Sequence, residues 1–109
     1  MKLFIALTVV LISTAATADP AAPLMSLGSA DTELSQEDCM TKAASATRNN
    51  GFTENFEKVG MTVYGEKGAY TSAIRCQTAV KLAIFVVAGP ESKIAASSEQ
   101  KLKATFTAP

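Results

Sequence analysis

The chain has 109 residues, ten Lys plus Arg against ten Asp plus Glu, a formal net charge of zero, two cysteines, and neither histidine nor tryptophan. Balanced, scattered charge excludes the clustered cationic surface that nucleic-acid binding needs. The absence of histidine removes imidazole acid/base catalysis and any Ser-His or Cys-His nucleophile, and it takes away the commonest zinc ligands.

The chain begins with Lys2, an apolar run from Leu3 to Ile12 and a small-residue stretch from Ser13 to Ala18. This three-part order is that of a cleavable secretory signal over residues 1–18. Its apolar part, about ten residues, falls short of the roughly twenty needed to span a bilayer as a helix. Ala16-Thr17-Ala18 offers the small-x-small exit, and Asp19-Pro20 breaks helical continuation. The mature chain is expected to start at Asp19 in a periplasmic or secreted product. No cysteine stands at the cleavage point, so no lipid or other stable membrane anchor remains after cleavage. Export places Cys39 and Cys76 in an oxidising compartment, where a lone pair is expected to be bridged.

Residues 19–33, rich in Ala, Pro, Ser and Gly, read as a flexible N-terminal arm. Residues 34–109 are expected to form one domain. Ser35 as N-cap, Glu37 and Asp38 in the first turn and Asn49-Asn50-Gly51 as a stop predict a helix of about fifteen residues. Cys39, Ala43 and Ala46 share its narrow face, which suits close packing on a sheet.

Lys58 to Tyr64 alternates as a strand, Gly65-Glu66-Lys67-Gly68 reads as a hairpin loop, and Ala69 to Gln77 is the return strand. On the return strand Tyr70, Ser72, Ile74 and Cys76 share one face and Ala69, Thr71, Ala73 and Arg75 the other. Leu82 to Ala88 is continuously apolar, as in a strand covered on both faces. After Gly89-Pro90, the residues Ile94, Ala95, Leu102 and Phe106 give a second amphipathic helix, with Ser97-Ser98 as an alternative later start.

The fold class is therefore α+β: a two-layer sandwich of a three-stranded antiparallel sheet with two helices on one face, in the order α-β-β-β-α. A disulfide between Cys39 and Cys76 would staple the first helix to the second strand. Redox exchange is the weaker reading, because the chain has no C-x-x-C pair.

Tyr70-Thr71-Ser72-Ala73-Ile74-Arg75-Cys76, followed by Phe85-Val86-Val87-Ala88-Gly89-Pro90, resembles the YTxxIRC…FVVAGP pattern of small exported, periplasmic hypothetical proteins of Gram-negative bacteria. The resemblance implies a periplasmic location and one compact domain over roughly Asp38 to Phe106. It carries no catalytic residue and no characterised activity.

Glu37-Asp38 fits a helix start and Glu54 with Glu57 a solvated loop, so neither pair is assigned catalysis. No run of oxygen ligands matches a calcium loop, and no metal or cofactor is expected. Arg75, with Thr62, Tyr64 and Thr71, is a candidate anion-binding set: one cation among hydroxyls on the face opposite Cys76. Ala83, Phe85 and Val87 form a candidate interaction face, on the premise that Ile84 and Val86 point to the core. The leading functional expectation is a non-enzymatic exported binding or interaction module whose partner is a second copy of the chain, a periplasmic protein or a small anionic ligand. The alternative is a small periplasmic enzyme or enzyme accessory using Arg75.

Cleavage after Ala18 predicts that the intact mass of the exported protein corresponds to a chain starting at Asp19. Retention of residues 1–18 in the mature protein, or recovery in the inner membrane, is the outcome that contradicts it.

Overall fold

The computed structural model describes residues 24–109. The signal segment, the cleavage point and residues 19–23 of the expected arm lie outside the described residues. The elements run β1 (Leu24–Asp31), α1 (Gln36–Asn49), β2 (Glu54–Val59), β3 (Thr62–Lys67), β4 (Tyr70–Gln77), a 3-10 turn (Thr78–Val80), β5 (Leu82–Gly89) and α2 (Ser92–Thr107). The strands form one antiparallel sheet in the order β1-β5-β4-β3-β2. Both helices pack on the same face of it, α1 over β3 and β4 and α2 over β1 and β5. The α+β class holds, with five strands where three were expected.

α1 forms where its capping residues place it. Ser35 sits extended at φ −65° and ψ 163°, and its Oγ accepts the Asp38 amide at 3.1 Å. Glu37 and Asp38 lie in the first turn and Arg48 in the last, each with the sign that the helix dipole favours. Gly51 at φ +88° ends the helix and donates to the Arg48 carbonyl at 2.9 Å. The buried stripe is Cys39, Ala43, Ala44, Ala46 and Thr47. Thr47 satisfies its hydroxyl on the Ala43 carbonyl at 2.8 Å.

Small side chains bring α1 close to the sheet, and this explains Gly65. The sequence places Gly65 in a hairpin loop; the structure places it inside β3, opposite Ser72. A Cβ there would run into the Phe52 carbonyl and the Thr47 methyl. Gly65 is thus a close-approach residue, with no turn to make. The turn belongs to Gly68, at φ +59°, in the link between Lys67 and Tyr70. Gly60, also at φ +59°, plays the same part between Val59 and Thr62, so the expected single strand Lys58 to Tyr64 is two strands and a hairpin.

Two further expectations are corrected. The segment read as a flexible arm contains β1, which pairs with β5 along its whole length from Leu24↔Gly89 to Asp31↔Leu82. It lacks β-branched and aromatic residues, but pairing to a preformed neighbour overrides weak strand propensity. The second correction concerns β5, whose faces are inverted. The link Thr78 to Lys81 closes so that Gln77 faces Leu82, and Cys76 therefore lies opposite Ala83, Ile74 opposite Phe85 and Ser72 opposite Val87. Directly opposed residues share a face. Ala83, Phe85 and Val87 are accordingly core residues at 0% exposure, and Phe85 meets Phe106 of α2 edge to face at 5.3 Å between ring centroids.

Cys39 and Cys76 are joined, with Cα atoms 6.1 Å apart. They belong to one buried cluster with Phe52, Val63, Ile74, Ala95 and Leu102, all fully buried. The bridge closes a loop over a sequence separation of 37 residues. Chain-entropy reasoning assigns such a loop roughly 4 kcal/mol. Urea unfolding with and without a reductant should show a loss of that order, and a change below about 1 kcal/mol would contradict the assignment.

Candidate functional site

With both helices on one face, the outer face of the sheet is left to the alternate residues of each strand. Cross-strand pairing arranges them in rows. One row runs Leu27, Val86, Ala73, Tyr64 and Glu57; a second runs Met25, Ala88, Thr71 and Glu66; a third runs Ser29, Ile84, Arg75, Thr62 and Val59. The β1 and β5 half of this face is apolar apart from Ser29 and the terminal Asp31, and the other charges are Arg75 of β4, Glu66 of β3 and Glu57 of β2. Met25 and Leu27 are 68% and 69% exposed, Val59 and Tyr64 are exposed, and Ile84 and Val86 are half-buried between them. No element among the described residues covers them.

Ala83, Phe85 and Val87, the residues expected to form an interaction face, therefore point into the core. Their neighbours Ile84 and Val86 occupy the outer face in their place. What misled the sequence reading is the register of a single link, since an apolar run such as Leu82 to Ala88 carries no alternation of its own to fix its faces. Met25 and Leu27 lie in the segment whose composition reads as a flexible arm. Without knowing that β1 pairs with β5, nothing marks them as one row with Ala88 and Val86.

The candidate anion-binding set is only partly assembled. Arg75 is exposed and opposite Thr62, and its Nη1 donates to Thr62 Oγ1 at 3.4 Å. Tyr64 and Thr71 lie in different rows. They line a shallow groove of about 280 Å³ with Asn55, Glu57, Val59, Gly65 and Glu66. Arg75 is not part of that groove, and the two carboxylates give it the wrong sign for an anion. Asn55, in the left-handed region at φ +48°, donates from Nδ2 to Glu66 Oε1 at 2.8 Å and fixes that carboxylate at the rim. Among the described residues no three His, Cys, Asp or Glu side chains gather to hold a metal ion.

One polar residue that sequence reasoning passed over is Glu99. It lies on the sheet-facing side of α2 at only 6% exposure, pressed onto Gly28 of β1, and accepts a long hydrogen bond from Ser26 Oγ at 3.5 Å. A side chain at position 28 would occupy the space of its carboxylate. The spacing Ala95, Glu99, Leu102, Phe106 was the available signal, because it puts Glu99 on the same helical face as three core residues.

The remaining polar contacts are structural. Gln36 Nε2 donates to the Cys76 carbonyl at 3.1 Å and Thr78 Oγ1 donates to Gln36 Oε1 at 2.6 Å, tying the start of α1 to the end of β4. The Arg48 guanidinium lies 4.1 Å from the Phe56 ring centroid and Lys67 Nζ 5.0 Å from that of Phe52, covering the aromatic edge of the core. Among the described residues no helix is long and apolar enough to cross a membrane.

Comparison of the chain with protein-family models, with curated proteins and with solved structures finds no match.

An isolated cation bonded to one hydroxyl is a weak anion site. Millimolar inorganic phosphate should therefore raise the melting temperature no more than an equal ionic strength of chloride. Arg75→Ala should change stability by less than about 0.5 kcal/mol. A saturable rise with phosphate that Arg75→Ala abolishes would reinstate the anion site.

Proposed function

We propose that the protein is a non-enzymatic exported module that works by association, using the outer face of its sheet. The observation that carries this reading is the apolar patch of Met25, Leu27, Ile84 and Val86, laid out on rigid strands and covered by nothing among the described residues. Burial of apolar surface is worth about 25 cal/mol per Å², so a contiguous patch of this kind favours contact with another apolar surface over contact with water. The charged half of the face, with Arg75, Glu57 and Glu66, frames the patch and supplies orientation more than affinity.

The periplasmic or secreted setting rests on the N-terminal signal pattern and on the bridged cysteines, a combination that belongs to oxidising compartments. The alternative reading, an enzyme built around Arg75, has less behind it. The nearby groove of Glu57, Glu66, Tyr64 and Thr71 does not include Arg75, whose guanidinium donates instead to Thr62 Oγ1.

A hydrophobic dye reads the patch directly. The oxidised, folded protein should enhance bis-ANS fluorescence, and Val86→Asp should lower that enhancement severalfold while circular dichroism stays unchanged. Absence of dye binding by the folded wild type, or equal binding by the variant, would remove the basis of this function.

A further inference from the structure

The two edges of the sheet are built differently. At the β2 edge the ladder is interrupted between Glu54 and Glu57, Asn55 takes a positive φ, and Glu54, Glu57 and Lys58 supply charge. Bulges and charges of this kind are what keep sheet edges from pairing with other chains. At the β1 edge none of these devices is present. β1 is eight residues long, pairs with β5 without a break in register, and has no Lys, no Pro and a single charge, Asp31, at its end.

The hydrogen bond from the Thr32 amide to the Lys81 carbonyl, 3.0 Å, fixes which backbone groups of β1 are free. In an antiparallel ladder the hydrogen-bonded residues alternate, so Ser26, Gly28 and Ala30 turn their N–H and C=O groups to β5. Met25, Leu27, Ser29 and Asp31 turn theirs away from β5, to an edge that pairs with no strand among the described residues. The side chains of those same residues lie on the outer face.

We propose that β1 is the interface of a homodimer, in which the β1 strands of two copies pair antiparallel about a two-fold axis at Leu27 and join the two sheets into one. Pairing on this axis sets Leu27 against its own copy and Met25 against Ser29 of the other copy, an uncharged and self-complementary pattern. Because Leu27 turns its N–H and C=O to the edge, an axis at this residue is centred on a hydrogen-bonded pair of Leu27 with its own copy. A second copy is the fitting occupant because the chain from Asp19 onward, without Lys2, carries nine Lys plus Arg against ten Asp plus Glu, and a net charge of −1 leaves little long-range repulsion between copies. The inference rests on the association reading and names its first partner. The outer faces of both copies then form one continuous apolar platform that is still open.

Sedimentation equilibrium of the oxidised exported chain at about 10–100 μM, the range in which weak dimers populate, tests it. The wild type should show twice the monomer mass. Ser29→Pro removes only an edge-facing N–H and should halve the mass with unchanged circular dichroism, because proline is tolerated on an edge strand. Leu27→Lys, at an exposed position, should do the same by placing like charges across the axis. Val86→Asp, in the middle of the outer face, should leave the dimer intact. A wild type that is monomeric throughout, or a dimer that survives both edge variants, overturns the edge proposal. If bis-ANS binding persists in either case, the reading of the outer face stands without it, and a dimer formed without dye binding would reject that reading alone.

Discussion

The bond between Cys39 and Cys76 settles more than the attachment of one helix to one strand. By holding Cys76 toward α1 it fixes which side of β4 is interior, and antiparallel pairing carries that choice sideways through the sheet. Ser72, Ile74 and Cys76 select Val87, Phe85 and Ala83, and these in turn select Ser26, Gly28 and Ala30. The outer residues follow by elimination, so the position of a single sulfur decides that Leu27 and Val86, and not Phe85, meet solvent.

The second determinant is the small size of the side chains between layers. α1 presents alanines and a threonine, Gly65 receives the Phe52 carbonyl, and Gly28 receives Glu99. In a domain this short, close approach of helix to sheet compensates for the shortage of large aromatic groups, because dispersion contacts rise steeply as gaps close. The few large residues, Phe52, Phe85, Phe106, Ile74 and Leu102, are gathered where the two helices meet the sheet.

What was readable in the sequence is what local chemistry determines. Ser35, the acidic first turn and Gly51 locate α1; the inward side of β4 follows from alternation; the cysteine pair follows from count and setting. What was not readable depends on register or on partners distant in sequence. Gly65 and Gly60 look alike as residues, and only the fold separates the close approach from the turn. β1 has the composition of a linker, and its strand conformation comes from β5. The faces of Leu82 to Ala88 depend on the parity of a short link, which no periodicity within an all-apolar run reveals. The candidate anion set assembles only in part for a related reason: Arg75 and Thr62 are neighbours, while Tyr64 and Thr71 fall in rows bordered by Glu57 and Glu66.

The place of β1 in the chain has a consequence for the order of events during synthesis. Among the described strands it is the first made, yet the strand it pairs with, β5, is the last. The remaining strands form a meander of adjacent hairpins that closes over short loops, whereas β1 must wait for nearly the whole domain before its ladder exists. A waiting strand rich in valine or isoleucine would be a template for misassembly. Leu24–Asp31, built largely from serine, glycine, alanine and three unbranched or γ-branched apolar residues, is a poor one. The pairing of β1 with a second copy proposed above would therefore require β5 to have straightened it first, and would join only molecules that have already folded.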